Sequence, residues 1–166
     1  DIKTFTYEIR DFEGDALPND VSNAEVFLKK PLLASSSTEE DPNLERVSHL
    51  VDYFEQTVKI YNTWFGYSSF NSADSELTIL VNVDYYSPFF GPLPLPSKPK
   101  YLIGFTSKNS EKGVDTFAHE FQHAVTRDFV WLDSDFNHPQ SSALNEALSD
   151  FLLQLRILAM KDGKLK

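Results

Sequence analysis

The most regular hydrophobic pattern in the chain lies between residues 42 and 65, where apolar side chains recur at alternating steps of three and four. This spacing keeps them on one face of an α-helix. Asp41 can cap the start of this helix, Pro42 suits its first position, and Gly66 is expected to end it. The stripe consists of Leu44, Val47, Val51, Phe54, Val58, Tyr61 and Phe65.

Alternation of apolar and polar residues predicts strands on both sides of this helix. Residues 77–85 have one apolar and one mostly polar face, which predicts a half-buried strand. Shorter strand-like segments occur at residues 4–9 and 101–105. Residues 86–100 contain five of the nine prolines and are excluded as a central strand, because proline donates no hydrogen bond to a sheet.

Two further helices are predicted towards the end of the chain. The first covers about residues 113–129, and the second, which Ser142 can cap, covers about residues 142–160. Their apolar faces consist of Val114, Phe117, Ala118, Phe121, Ala124 and Val125, and of Leu144, Leu148, Phe151, Leu152, Leu155 and Leu158. Because the strand-rich residues 1–105 precede these helices, the sequence predicts an α+β fold.

Composition and charge narrow the class of partners. Hydrophobic residues make up 41% of the 166 residues, enough for one core, and no apolar run is long enough to span a membrane. The net charge of −10 argues against nucleic acid and against an anionic membrane surface as partners. The lack of cysteine excludes thiol catalysis, disulfides and cysteine-bound metals.

The sequence His-Glu-Phe-Gln-His at residues 119–123 lies within the first of the two later helices. His119 and His123 are one helical turn apart on the same face, so both imidazoles can reach one zinc ion. Glu120 points in a neighbouring direction, where it can act as general base on a zinc-activated water. An ordinary helix that carries two histidines is the alternative, since the motif alone fixes only three positions.

A third ligand is expected, because catalytic zinc sites usually have three protein ligands. Glu146, near the start of the last helix, is the best candidate. Asp150 lies four residues later on the same face, from which it can hydrogen-bond the outer nitrogen of a zinc histidine. Acidic residues in a first helical turn also favour the helix dipole, so only the combination with the histidine motif indicates a metal site.

Two segments together resemble the thermolysin-like zinc metallopeptidases. Residues 115–126 resemble the active-site helix of that family, and residues 141–150 resemble its Asn-Glu-Ala-x-Ser-Asp segment. Weaker similarity extends to the predicted helix at 42–65 and the strand at 77–85. The resemblance implies that Glu120 is the catalytic base, that Asp150 supports the first histidine and that Asn145 lies beside the ligands. The zinc ligands it implies are His119, His123 and Glu146.

The resemblance also implies a fold, a location and a substrate class. The expected fold is a zincin-type N-terminal lobe, with a twisted, mostly antiparallel sheet packed on long helices and the active-site helix at about 113–129. Residues 1–166 are then one such lobe, without the largely helical second lobe of the family. The expected cofactor is zinc, the expected partner a peptide or protein substrate, and the expected location extracellular.

Several family features are missing from the sequence. In the family, a histidine from the second lobe stabilises the oxyanion, and a tyrosine between the two motifs also stabilises it. Between its two motifs this chain has the aromatic residues Phe129, Trp131 and Phe136 and no tyrosine. Asp115 matches a calcium ligand, but its acidic partner is absent, so no paired calcium site is predicted. His138 is interpreted as a solvated loop residue.

Two functions remain open on these grounds. The first is a zinc metalloendopeptidase, and the second is a weakly active or inactive zinc-binding or interaction domain derived from one. A structural zinc site is less favoured, because Glu120 would have no purpose there. Residues 86–90 are either a remodelled substrate rim or an ordinary exposed connection, and the sequence leaves substrate specificity and oligomeric state undetermined.

Overall fold

Strands and helices alternate along the first two thirds of the chain, and two long helices follow. A computed structural model describes residues 5–18, 24–37, 44–70, 76–93, 100–106, 113–130, 132 and 138–161. Its elements are β1 (Thr6–Asp11), α1 (Ala24–Leu28), β2 (Leu32–Ser35), α2 (Leu44–Phe65), β3 (Glu76–Val83), β4 (Phe89–Leu93), β5 (Lys100–Thr106), α3 (Val114–Phe129) and α4 (Pro139–Lys161). The fold is α+β, as predicted.

The strands form one five-stranded sheet in the order β2-β1-β3-β5-β4. The inner pairs, β1 with β3 and β3 with β5, are parallel, whereas the outer pairs are antiparallel. The sheet is therefore mixed, and the expectation of a mostly antiparallel sheet is wrong. The centre is parallel because long connections, including α2, return the chain to the same end of the sheet before the next inner strand starts.

β3 is buried on both faces, so its description as a half-buried strand is wrong. Leu77, Ile79 and Val81 face the larger hydrophobic cluster, and Thr78 and Leu80 on the opposite face are fully buried as well. The second face is covered by a smaller cluster of Phe12, Phe27, Leu80, Val83 and Leu102. A central strand with parallel neighbours on both sides is typically enclosed in this way.

α2 packs its hydrophobic stripe against the sheet and α3. The buried residues of that stripe include Val47, Phe54 and Tyr61. The helix ends at Phe65, and Gly66 adopts a φ of +63° while its N–H donates to the carbonyl of Asn62 at 3.1 Å. This left-handed cap confirms the predicted end of the helix. The predicted caps Asp41 and Pro42 lie outside the described residues.

α3 agrees with its predicted bounds to within one residue, whereas α4 begins three residues before the predicted start at Ser142. The N–H of Ser142 donates to the carbonyl of His138 at 3.1 Å, so Ser142 lies inside the helix and does not cap it. Pro139 occupies the first position, where a missing N–H costs nothing. No helix in the described part of the chain has the length and apolar character to cross a lipid bilayer.

β4 is the edge strand next to the later helices. Its pairing with β5 opposes Phe89 to Gly104, and the Phe89 ring lies over that glycine: a Cβ built on Gly104 would come within 2.1 Å of the ring. The exclusion of residues 86–100 as a central strand is confirmed, since Pro92 lies in this edge strand.

Candidate metal centre

α3 and α4 bring the side chains of His119, His123 and Glu146 together. One ligand atom from each lies within 4.8 Å of the others. The Nε2 atoms of the two histidines are 3.1 Å apart. The carboxylate of Glu146 approaches both rings, with Oε2 3.2 Å from Nε2 of His119 and Oε1 3.6 Å from Nε2 of His123. The three residues expected to bind zinc therefore converge on one small volume.

The opposite nitrogen of each ring is held by α4. Nδ1 of His119 lies 3.0 Å from Oδ1 of Asp150. Nδ1 of His123 lies 3.1 Å from Oδ1 of Asn145 and 3.1 Å from Oγ of Ser149. Asp150 and Asn145, which the sequence placed beside the ligands, thus contact one histidine each. These contacts fix the orientation of both rings.

The hydrogen-bond partners of the two rings favour Nδ1 as the donor atom. The hydroxyl of Ser149 donates to the carbonyl of Asn145 at 3.0 Å, so its oxygen is an acceptor for Nδ1–H of His123. The carboxylate of Asp150 likewise accepts from Nδ1–H of His119. Nε2 is then the atom of each ring that is left for a metal ion, and it lies towards the other ring and towards Glu146.

Such a set of converging acceptors fits a metal cation. The Nε2 atoms of the two rings and the carboxylate of Glu146 lie within 3.1–3.6 Å of one another, as expected for groups that share one ligand. A cation between them would be coordinated by all three groups. Two imidazole nitrogens and one carboxylate oxygen are also a donor set that suits catalytic zinc.

Burial keeps His123 in the form that can bind a metal. His123 is 8% exposed, and this burial lowers the pKa of its imidazole, although the hydrogen bond that His123 donates to Asn145 and the charge of Glu146 act in the opposite direction. A lowered pKa favours the neutral ring at physiological pH. Neutral imidazole is the form that coordinates metal ions.

Glu120 lies beside this cluster and is almost completely buried, with 7% of its surface exposed. Burial, with a smaller contribution from the negative charge of Glu146, raises the pKa of its carboxyl to about 8. A carboxyl group with a pKa near neutrality can take up and release a proton at working pH. This is the property that a general base at a metal site requires.

A cavity of about 530 Å³ gives access to the cluster. Its lining residues come from the segment before β4, from β4, and from both later helices. They are Tyr85, Tyr86, Ser87, Pro88, Phe89, Phe90, His119, Glu120, His123, Arg127, Leu132, Asn145 and Glu146. The segment at residues 86–90 therefore borders the site, which favours the rim interpretation over the ordinary connection.

A solved metalloproteinase has a similar fold. The precursor of protealysin from Serratia proteamaculans matches this chain with a TM-score of 0.63 and 19% sequence identity. The match covers 95% of this chain and 45% of that chain, so this chain spans less than half the length of the protein it resembles. No protein-family model and no curated protein sequence matches this chain. The likeness supports the expected overall fold and, at this identity, extends no further than the fold.

Other residues singled out in the sequence lie away from the cavity or outside the described structure. His138 is exposed and directly precedes α4, and Asp115 is exposed on α3. Phe129 is 61% exposed at the end of α3 and is not part of the cavity lining. Trp131 and Phe136, which the sequence resemblance places between the two motifs, lie outside the described residues.

Three features of the site were missed by sequence reasoning. Ser149 contacts His123, and Arg127 and Tyr85 line the cavity. A signal existed for Arg127, because it follows His123 by four residues and therefore lies on the same face of the helix. Ser149 could have been found by the same spacing from Asn145. Nothing in the local sequence marks Tyr85, since its position depends on how β4 pairs with the sheet.

Proposed function

We propose that this chain is a zinc-dependent metallopeptidase domain of the thermolysin-like type. The observation that carries the proposal is the convergence of His119, His123 and Glu146 beside a buried carboxyl, Glu120, in one open cavity. The similar fold of the protealysin precursor, a metalloproteinase, supports the same reading. In this proposal residues 1–166 form one catalytic lobe, and a secreted location follows from the family resemblance.

The proposed ligands are His119, His123 and Glu146. Asp150 contacts the outer nitrogen of His119, and Asn145 and Ser149 contact that of His123, which supports Nε2 as the atom by which each ring would bind the metal. When bound, zinc supplies Lewis-acid chemistry, which polarises a carbonyl and lowers the pKa of water to roughly 7.

Glu120 is the proposed proton carrier. Its carboxylate takes a proton from the attacking water and later gives a proton to the amine that leaves when the C–N bond breaks. Its burial supports this role, because a desolvated carboxylate is a stronger base than an exposed one. Hydrolysis thus adds one water across the peptide bond, and Glu120 ends in its starting state.

Strand β4 is the proposed platform for the substrate backbone. It is the edge of the described sheet and borders the cavity through Phe89 and Phe90. An extended peptide can add to such an edge by backbone hydrogen bonds. Pro92 lacks an N–H, so the contacts at that position are limited to its carbonyl.

A zinc-loading experiment with the Glu120→Gln variant tests the proposal. We expect about one zinc per chain in both proteins, since Glu120 is not a ligand, and cleavage of a quenched fluorogenic peptide by the unmodified protein alone. Glu55→Gln, an exposed glutamate on α2, is the matched control and should behave as the unmodified protein. Equal peptidase activity in Glu120→Gln would refute its role as the base.

The same experiment separates the peptidase from its rival, a non-catalytic zinc-binding domain. Zinc bound without cleavage, in this chain and in any longer parent protein, would favour the rival. Activity in the longer protein alone would mean that this chain supplies zinc chemistry and needs further residues for the oxyanion. A preparation that binds no zinc at neutral pH would refute both.

A further inference from the structure

We infer that Arg127 binds a carboxylate of the substrate close to the scissile bond, and so makes the proposed peptidase selective for acidic peptides. The inference rests on the proposed function, which assigns the neighbouring residues but gives Arg127 no role. It is drawn from the position of Arg127 in the cavity, from the charge of that cavity and from the chemistry of its guanidinium group.

Arg127 lies on the same face of α3 as the two histidines. It follows His123 by four residues and His119 by eight, and each step of four slightly exceeds one helical turn of 3.6 residues. Its side chain is partly buried and lines the cavity that contains Glu120 and Glu146. The neighbouring Asp128 does not line this cavity; its carboxylate accepts a hydrogen bond from the hydroxyl of Tyr67 at 2.8 Å.

The lining of the cavity carries charges of both signs. Glu120 and Glu146 are the carboxylates among the lining residues, and their two charges would match those of a divalent ion. Arg127 adds a guanidinium group to the same lining, although the whole chain carries −10. A charge at this position acts on substrates that have entered the site and does not steer them from a distance.

A guanidinium group is suited to the carboxylates of a peptide. Its five N–H donors form a planar fork that matches the two oxygens of a carboxylate. Arg127 already interacts with another group of the protein, but a fork of five donors can serve more than one acceptor. In a peptide, the matching acceptors are Asp and Glu side chains and the terminal carboxylate.

A peptide that runs alongside α3 would place that carboxylate close to the cleaved bond. Four residues of helix advance about 6 Å from His123 to Arg127. An extended peptide covers a similar distance in about two residues, at roughly 3.3 Å each. For a substrate in this direction, the carboxylate recognised by Arg127 is expected within about two residues of the bond that is cut.

The test compares two sets of fluorogenic peptides. In the first set, one of the four positions nearest the cleaved bond, two on each side, carries either Glu or Gln, and the C-terminus is an amide. In the second set, all four positions carry Gln and the C-terminus is a free carboxylate. The zinc-loaded protein should cleave one acidic member with a kcat/KM roughly ten- to a hundredfold above its neutral partner. The position of that member distinguishes a side-chain carboxylate from a terminal one.

Arg127→Gln should reduce this ratio to about one, and Arg127→Lys should retain part of it. Lys29→Gln removes one positive charge from the exposed surface of the protein, away from the cavity lining, and should leave the ratio unchanged. Dissociation constants of the same labelled peptides are measured by fluorescence anisotropy in Glu120→Gln and in the double variant that also carries Arg127→Gln. The ratio of these constants for an acidic and a neutral peptide reports binding without turnover.

The outcomes separate the two proposals. An acidic preference in binding that Arg127→Gln abolishes supports the inference, even if no peptide is cut and the peptidase function fails. Cleavage without an acidic preference, or with one that Arg127→Gln leaves intact, overturns the inference while the peptidase function stands. Neither binding nor cleavage of any peptide overturns both. If Arg127 serves only the carboxyl end of α3, the substitution lowers stability in denaturation and leaves the ratio unchanged, which also overturns the inference.

Discussion

Replacement of Glu120 by Gln should stabilise the metal-free protein, and the gain should grow with pH. Glu120 is 7% exposed, and its carboxyl pKa is raised from 4.5 to about 8, chiefly by burial. An acid whose pKa is higher in the folded protein than in the unfolded chain opposes folding once the pH exceeds its pKa in the unfolded chain, because only the unfolded chain then ionises it without cost. The penalty begins near pH 4.5, rises until the pH reaches the folded value, and is constant above it.

The size of the effect follows from the same two values. At pH 7 the penalty is about 3 kcal/mol, and at pH 5 it is below about 1 kcal/mol, because each pH unit between the two pKa values contributes about 1.4 kcal/mol. The neutral amide of Glu120→Gln has no such penalty. The variant should therefore gain roughly 2–3 kcal/mol over the unmodified protein between pH 5 and pH 7.

Urea denaturation in the presence of a chelator measures this difference. Both proteins are titrated at half-unit steps from pH 5 to pH 8, and the difference in unfolding free energy is plotted against pH, which cancels the titration of groups that both proteins share. Glu55→Gln, on the exposed surface of α2, should give a nearly flat difference. A flat line for Glu120→Gln, or one that falls with rising pH, would refute the claim that this carboxyl is buried at a free-energy cost.

Two further changes test the support of the site. Asp150→Ala removes the acceptor for Nδ1 of His119 and should weaken zinc affinity about ten- to a hundredfold, measured by competition with a chromophoric chelator, whereas Asp150→Asn keeps an acceptor oxygen and should lose less. An equal affinity in Asp150→Ala would contradict the orienting role. Gly104→Ala would push a methyl group into the ring of Phe89 and should lower the free energy of unfolding by about 1–3 kcal/mol, while Gly91→Ala, whose added atom meets nothing within 4 Å, should have little effect. Similar losses in both variants would contradict the packing described for the cavity wall.

The sequence predicted those parts of the fold that depend on neighbours within one helical turn. The stripe of α2, its end at Gly66 and the bounds of α3 depend on local spacing and local backbone geometry, and all agree with the structure. The start of α4 was missed by three residues because two local signals competed, Ser142 as a cap and Pro139 as a first residue. Proline prevailed, since it tolerates the first helical position so well.

The pairing of strands was not predictable in the same way. β1 and β3 are adjacent in the sheet although more than 60 residues separate them, and no local pattern encodes whether such a pair is parallel. The same limit explains why Tyr85 and Arg127 were not linked to one cavity beforehand. Arg127 had a local signal in its spacing from His123, whereas the location of Tyr85 in the same cavity depends on the position of the edge strand.

The burial of Glu120 adds to what the motif alone indicates about this cluster. Glu120 is 7% exposed, and burial raises the pKa of its carboxyl, so its ionised form needs a nearby positive charge. Beside it, His119, His123 and Glu146 bring two imidazole nitrogens and a carboxylate within 4.8 Å of one another. A divalent cation bound by these three residues would also stabilise the ionised form of Glu120. One ion would thus account for both arrangements, which a helix that merely carries two histidines would have no reason to contain.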